Sequence, residues 1–323
     1  MAAVTLEASG LTKRFGPRTA VENVSFTARE GDVVGLLGPN GAGKTTTIRL
    51  LTTVLAPTDG EFSVAGIPST RPTEIRRRIG VLPESAGYPA RQTGREYLRY
   101  HARLFGMARE DATRAADRLL TEVGLHERAS SRISSYSRGM RQRLGIARAL
   151  VNDPAVVILD EPTLGLDPAG QRQVLAIVRG IAVRRSATVV LSTHTLPEVE
   201  EVCTTVVILS RGKVLTAGPV SEVTRAVTVR RSGRLRVPPE LAERAREALA
   251  RVDGLTVEPA DGPPDLVVFS ATERPAGRPD RRDSGTDAAL RAVLDAGVPV
   301  LYFEYEGTRL SDAFLAMTKE DIR

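Results

Sequence analysis

The sequence predicts an α/β fold organised around a phosphate-binding loop, and three observations carry that prediction. First, the apolar run Val33–Leu37 reads as a buried strand and leads into Gly38-Pro39-Asn40-Gly41-Ala42-Gly43-Lys44-Thr45-Thr46. This stretch fits G-x-x-x-x-G-K-[ST] through Gly38, Gly43, Lys44 and Thr45. Second, three more apolar runs end on polar side chains, as strands of a parallel sheet do where they face a ligand: Ile79–Leu82 before Pro83-Glu84, residues 155–159 before Asp160-Glu161, and residues 188–192 before Thr193-His194. Third, apolar residues at helical spacing follow the loop, with Ile48, Leu51 and Leu55 on one face, so the loop ends on a helix N-terminus whose free N–H groups favour an anion. Glycines at 38, 41 and 43 let the backbone approach phosphate oxygens. Lys44 reaches the β- and γ-phosphates, and the Thr45 hydroxyl ligates Mg²⁺.

Taken in order, residues 4–8 and 24–28 alternate as two antiparallel strands joined by a turn at Gly16-Pro17. Phe15, just before that turn, is placed to stack on a nucleotide base or to pack locally. Pro57-Thr58-Asp59-Gly60 is a turn before a strand at 61–64. From Gly87 the pattern turns helical. Thr93-Gly94-Arg95-Glu96 fits a capping box, opening a helix with Tyr97, His101 and Leu104 on one face and Arg95, Arg99 and Arg103 on another. A second helix covers about 111–123, and a third starts near Gly139 with Met140, Leu144, Ala147 and Val151 at helical spacing. Adjacent carboxylates at the end of an apolar strand suggest a metal-coordinating Asp160 and a Glu161 that polarises water. Asp167-Pro168 is a helix start with Asp as N-cap. Residues 206–214 read as a hairpin about Arg211-Gly212.

Composition shifts near Thr224. Beyond it the order is strand 235–237, helix 239–252, strands 256–258 and 266–270, helix 287–296 and strand 300–305, a βαββαβ series that suits a small ferredoxin-like α+β domain. Residues 274–286 read as a mobile loop. Leu310, Ala313, Phe314 and Met317 form an amphipathic stripe on a last helix.

The 323 residues suffice for two domains. The longest apolar runs are five residues, against about 18 needed to cross a bilayer. No signal-peptide pattern begins the sequence, and the single Cys203 excludes an intrachain disulfide, so a reducing, cytosolic setting is the expectation. Net charge is +6, and the segment 87–151, with 13 Arg against 6 Asp or Glu, holds the equivalent of the whole excess. Without Trp, and with only 4% aromatic residues, that charge lacks the aromatic interleaving of a nucleic-acid surface, so no nucleic-acid partner is expected.

Tyr136-Ser137-Arg138-Gly139-Met140, followed by Arg141-Gln142-Arg143, resembles the signature loop of the ABC ATPases, commonly L-S-G-G-Q. The resemblance spans at least residues 4–223 with the motifs in the family's order. It implies a RecA-like α/β core (1–223) with an inserted helical subdomain (about 87–151), and an accessory domain at 224–323. By the same resemblance Phe15 stacks on adenine and Gly38 to Thr46 hold the phosphates. Glu84 stands where Gln is usual, Asp160 is the Mg²⁺-linked acid, Glu161 the catalytic glutamate, Asp167 the residue facing the opposing site, and His194 the switch histidine. A second copy's Ser137, Arg138, Gly139 and Met140 close the site over ATP, so a homodimer suffices and a heterodimer is the alternative. Glu84, and Tyr136, Arg138 and Met140 in the signature, depart from the common pattern. They resemble the daunorubicin-type export branch, as does the tail from Thr308 to Leu315. That branch implies a separate membrane-spanning permease subunit and a place at the cytoplasmic face of the membrane. A soluble ABC ATPase acting on ribosomes or DNA, and an ATP-gated subunit with little hydrolysis, are the other classes. The three asparagines, Asn23, Asn40 and Asn152, start no N-K-x-D guanine-reading motif.

Overall fold

The computed structural model describes residues 2–226, 231–258, 263–271 and 285–306. The chain divides into two compact units, Met1–Val220 and Ser221–Arg323. The first opens with the hairpin β1 (Val4–Phe15) and β2 (Arg18–Arg29), whose turn falls at Gly16-Pro17, followed by β3 (Val33–Leu37) and α1 (Lys44–Leu51). Next come β4 (Asp59–Val64), the short β5 (Ile67–Pro68), α2 (Pro72–Arg78) and β6 (Ile79–Leu82). Three helices follow, α3 (Gly94–Leu104), α4 (Arg109–Glu122) and α5 (Arg138–Ala149). The unit closes with β7 (Val156–Asp160), α6 (Pro168–Arg185), β8 (Thr188–Thr193), α7 (Leu196–Val202), β9 (Thr205–Ser210) and β10 (Lys213–Pro219), and α8 (Val220–Ala226) spans the boundary.

Two sheets form the first unit. One is antiparallel, in the order β2-β1-β4-β5; the other has six strands in the order β10-β9-β3-β8-β7-β6. In the larger sheet β9, β3, β8, β7 and β6 run parallel, and β10 pairs antiparallel to β9 at the edge. The parallel strands are apolar on both faces because both faces are covered. Val33, Val157, Leu159, Val189 and Leu191 pack toward the core that holds α3, α4 and α5. Their neighbours Val34, Leu36, Val156, Ile158 and Val190 pack toward the core shared with the antiparallel sheet and α1. The alternation follows from the two-residue period of a strand. All five strands end on the same edge, which brings the segments after β3, β6, β7 and β8 together.

The helical segment is fixed locally by its caps. Thr93 Oγ1 accepts from Glu96 N at 3.2 Å and Glu96 Oε2 accepts from Thr93 N at 2.8 Å, completing the expected capping box. Tyr97 is buried, but Leu104, expected on the same face, is 64% exposed; Leu98 and Ala102 fill the apolar face instead. The helix ends at Leu104, and Gly106 with φ 86° turns the chain away before that side chain can pack. Arg95 and Arg103 are engaged within the segment: Arg95 Nε donates to Asp117 Oδ1 at 2.6 Å, and Arg103 Nη1 to Met107 O at 3.0 Å. Helix α1 stops at Leu51, so Leu55 lies beyond the helix its spacing suggested.

In the second unit β11 (Arg231–Arg236), α9 (Ala242–Ala250), β12 (Leu255–Val257), β13 (Leu266–Ala271), α10 (Gly285–Asp295) and β14 (Tyr302–Glu306) follow the βαββαβ order. The sheet is antiparallel, β12-β13-β11-β14, with Leu235, Val267 and Phe269 packed on Ala245, Leu249, Ala289 and Val293. Gly233 is required there, since a Cβ would sit 2.2 Å from the Phe269 ring. The expected loop at 274–286, apart from the first two residues of α10, and the terminal stripe of Leu310, Ala313, Phe314 and Met317 lie outside the described residues.

Candidate active site

The edge formed by the parallel strand ends carries a cleft of about 570 Å³. Pro39, Asn40, Gly41, Gly43, Lys44, Thr45 and Thr46 line it from the phosphate loop, Glu84 from the segment after β6, Glu161 from the end of β7, and His194 from the end of β8. Residues up to 155 positions apart in the chain thus meet because their strands are parallel neighbours in the sheet.

The loop's local chemistry suits an anion. Gly43, the N-cap of α1, has φ 105° and offers no side-chain cap, so the first N–H groups of the helix are open toward the cleft. A Cβ on Gly41 would meet nothing within 4 Å, and its φ of 83° favours glycine by backbone conformation alone. Gly38 is glycine for a different reason: a Cβ there would lie 2.4 Å from Leu209 O on β9. Ala42 does not line the cleft; it is buried against the core.

Lys44 is buried and its ammonium is held on two sides. Nζ donates to Gly38 O at 2.6 Å and lies 3.6 Å from Glu161 Oε1. The other carboxylate oxygen of Glu161 is 3.0 Å from His194 Nδ1. Lys44, Glu161 and His194 therefore form one chain of charged and polar groups across the cleft. Asp160 lies beneath it, only 4% exposed, with Oδ1 accepting from Ser192 Oγ at 2.6 Å. Burial pushes the Asp160 carboxyl up; the Ser192 hydrogen bond and Lys44 oppose this, while the Glu84 and Glu161 charges add to it. Among the described residues no cluster of three or more His, Cys, Asp or Glu forms a metal cage. The oxygens present, Thr45 Oγ1 and the Asp160 and Glu84 carboxylates, suit a hard cation such as Mg²⁺, which usually takes one or two protein ligands and completes its shell with water and phosphate oxygens.

Sequence reasoning missed several groups. Ser192, opposite Asp160 in the β7–β8 register, also accepts from Glu161 N at 2.9 Å, so one hydroxyl holds the Asp160 carboxylate and the Glu161 backbone. Thr193 Oγ1 donates to the buried Glu198 at 2.8 Å and accepts from Thr195 N at 3.0 Å, fixing the backbone on both sides of His194. Arg18, Thr19, Ala20 and Arg211 also line the cleft. The signal for Ser192 and Thr193 was their place at the end of an apolar strand beside a buried acid; Arg18, Thr19, Ala20 and Arg211 come from hairpins with no distinguishing pattern.

Other expected site residues stand apart from this cleft. Phe15 pairs with Arg18 at the end of the β1–β2 hairpin, is 48% exposed, and does not line the cleft; Lys13 Nζ lies 5.4 Å from its ring centroid. Ser137, Arg138, Gly139, Met140 and Asp167 do not line it either. Ser137 caps α5 by accepting from Met140 N at 3.2 Å, and Asp167 caps α6 by accepting from Gly170 N at 3.0 Å. Tyr136 is buried and its hydroxyl donates to Arg128 O at 2.7 Å, which explains an aromatic residue at the first signature position.

The ABC transporter family matches residues 21–164, from within β2 through the loop after Glu161. The uncharacterized ABC transporter ATP-binding protein YxlF of Bacillus subtilis (strain 168) is 40% identical over 68% of this chain and 72% of its own length. The chain belongs to the ABC transporter ATP-binding proteins. As an ABC ATPase it hydrolyses ATP and serves a transporter. Among its relatives, the bacitracin transport ATP-binding protein BcrA of Bacillus licheniformis is 39% identical over 65% of this chain and 68% of that protein. The daunorubicin resistance ATP-binding protein DrrA2 of Streptomyces coeruleorubidus is 34% identical over 97% of this chain and 94% of that protein, so that similarity runs through the second unit. The solved dimer of the ATP-binding cassette MJ0796, in a post-hydrolysis state with ADP and Pi, is 25% identical, with a TM-score of 0.60 over 66% of this ABC ATPase and 98% of that chain. No helix among the described residues is long and apolar enough to cross a membrane.

Proposed function

We propose that this ABC ATPase is the motor subunit of an exporter, of a drug, antibiotic or lipid-like compound, acting with a membrane-spanning permease on a separate chain at the cytoplasmic face of the membrane. The observation that carries the catalytic part is the placement of Glu161 between Lys44 and His194 in the phosphate-loop cleft. The export part is supported by similarity over 97% of the chain to a protein named for daunorubicin resistance.

In this reading residues 1–223 are the nucleotide-binding domain, with 87–151 its helical subdomain, and 224–323 an accessory domain. The open N–H groups of α1 and the Lys44 ammonium hold the β- and γ-phosphates of ATP, and Phe15 at the hairpin tip supplies the platform for the base. Thr45, Asp160 and Glu84 hold Mg²⁺, which when bound offsets the triphosphate charge. Glu161 orients and deprotonates the attacking water. His194 fixes Glu161 and contacts the γ-phosphate. Ser137, Arg138, Gly139 and Met140 of a second copy cover the nucleotide, and Asp167 meets that second copy. That these residues do not line the cleft of their own chain supports a site completed by two protomers. Identical halves suffice, so a homodimer is preferred over a heterodimer. ATP then favours the closed pair, and hydrolysis removes the preference.

The permease contact falls on the helical subdomain. With Arg95 and Arg103 engaged internally, the contact is assigned to the exposed large apolar side chains of that surface, Tyr100, Leu104 and Phe105. The test is purification with the membrane protein encoded beside this gene, followed by ATP turnover of complex, isolated subunit and Glu161→Gln. Turnover that needs Glu161 and rises in the complex supports a transporter motor. Turnover raised instead by ribosomes or DNA, with no membrane partner retained, overturns it.

A further inference from the structure

Glu84 is a carboxylate in a cleft built for a polyanion, which by itself opposes the triphosphate. It lines a second cleft as well, of about 340 Å³, together with Tyr88, Arg138 and Arg141. Arg141 is partly committed, its Nε donating to Tyr136 O at 3.1 Å. Arg138 makes no hydrogen bond or ion pair among the described residues, and neither does Glu84. The Arg138 guanidinium lies close to Gly165, which has φ 69°: a Cβ there would sit 2.5 Å from Arg138 Cζ. An unpaired anion and an unpaired cation thus border one small cleft, and they occupy the two positions where the sequence departs most in charge from the common ABC pattern.

We propose that Arg138 is the counter-charge of Glu84 within the same chain: when no Mg²⁺ is bound it draws the carboxylate out of the nucleotide cleft and so offsets the cost of an acid where Gln is usual. The two departures then form one compensated pair. Like-charge repulsion near a phosphate cluster is long-ranged enough to matter, and an exposed ion pair is strong enough to bias the position of a side chain without locking it.

This inference rests on the reading of the larger cleft as the ATP site, and the experiment separates the two. ATP affinity is measured by equilibrium dialysis in EDTA, where no cation masks the carboxylate and hydrolysis does not proceed, on chain kept monomeric as checked by sedimentation velocity so that no second copy's Arg138 reaches the nucleotide, for the wild type, Glu84→Gln, Arg138→Gly, Arg138→Lys and the double variant Glu84→Gln/Arg138→Gly. The expected result is a Kd about fivefold higher for Arg138→Gly, the upper range for a pair open to solvent, that returns to within about twofold of wild type in the double variant and is absent in Arg138→Lys. The Arg138→Gly effect should also shrink in 0.5 M salt, on the order of twofold or less. Equal losses from Arg138→Gly with and without Glu84→Gln mean that Arg138 acts independently of Glu84, and overturn the pairing; so does no loss in either. Failure of the wild type itself to bind ATP contradicts the site assignment instead. Both side chains are exposed, so folding of the variants, checked by thermal unfolding, is expected to match wild type.

Discussion

Glu161 has φ 47°, an unusual conformation for a residue with a side chain, and its amide donates to Ser192 Oγ. That backbone turn directs the chain out of β7 and sets the carboxylate against Lys44 and His194. In the proposed mechanism Ser192 therefore acts through its neighbours. Ser192→Ala is expected to lower kcat roughly tenfold, the scale for removing a group that orients a metal-linked acid, while raising the Mg²⁺ concentration for half-maximal turnover. Unchanged Mg²⁺ dependence would assign Ser192 to packing alone. At this scale the sequence was highly legible for the phosphate loop, Asp160, Glu161 and His194, because each falls within or directly after a strand whose apolar pattern is unambiguous. It was silent on Arg18 and Arg211, which reach the cleft only through hairpins whose approach depends on tertiary packing.

Elements are tied together by close backbone approaches and by one half-buried ion pair. Gly80 on β6 lies so near the end of α5 that a Cβ would be 1.9 Å from Ala149 O. Arg185 at the end of α6 binds Glu122 at the end of α4 through two hydrogen bonds, Nε to Oε1 at 3.0 Å and Nη2 to Oε2 at 2.7 Å. The Arg185 hydrogen bonds lower the Glu122 pKa below its usual value of 4.5, against the opposing effect of burial. A depressed carboxylate pKa means that the folded state binds the proton less readily than the unfolded state. The pair's stabilisation is therefore present above the unfolded value, near 4.5, and is lost as pH falls from there through the folded value. Glu122→Gln is expected to cost about 1.5–3 kcal/mol at neutral pH and to flatten the acid limb of a Tm–pH curve; an unchanged acid limb would show that the pair carries no linkage. Helix α3 offers a separate test, since its exposed Leu104 is the apolar residue left without a core. Tyr100→Asp/Leu104→Asp is expected to abolish or sharply weaken co-purification with the permease, and retained co-purification would move the docking surface elsewhere. The capping box of α3 and most of the succession of strands and helices along the chain were readable from the sequence; the order of the strands across the sheets was not. The short α2, α7 and β5 were not, because two-to-seven-residue elements lack enough repeats for a period to show.

For the whole molecule, the decisive feature is what one chain's cleft omits. The signature residues and Asp167 belong to the same unit as the phosphate loop yet do not line its cleft, and in the proposed reading the signature of a second copy closes the site over ATP. Slowing hydrolysis with Glu161→Gln should therefore trap a dimer with ATP and Mg²⁺ but not with ADP, read by sedimentation velocity; a monomer under both conditions would contradict the composite site. The βαββαβ order of the second unit was legible because its strands are short apolar runs set apart from two longer helical stretches. The role of that unit in the assembly was not, since no residue in it carries recognisable chemistry. The most direct test of the central claim is steady-state ATP turnover of the wild type and Glu161→Gln measured side by side with ATP affinity. Turnover lower by about 10²-fold or more, with affinity retained, is the expected result; near-normal turnover in the variant would remove Glu161 from catalysis and the proposed mechanism with it.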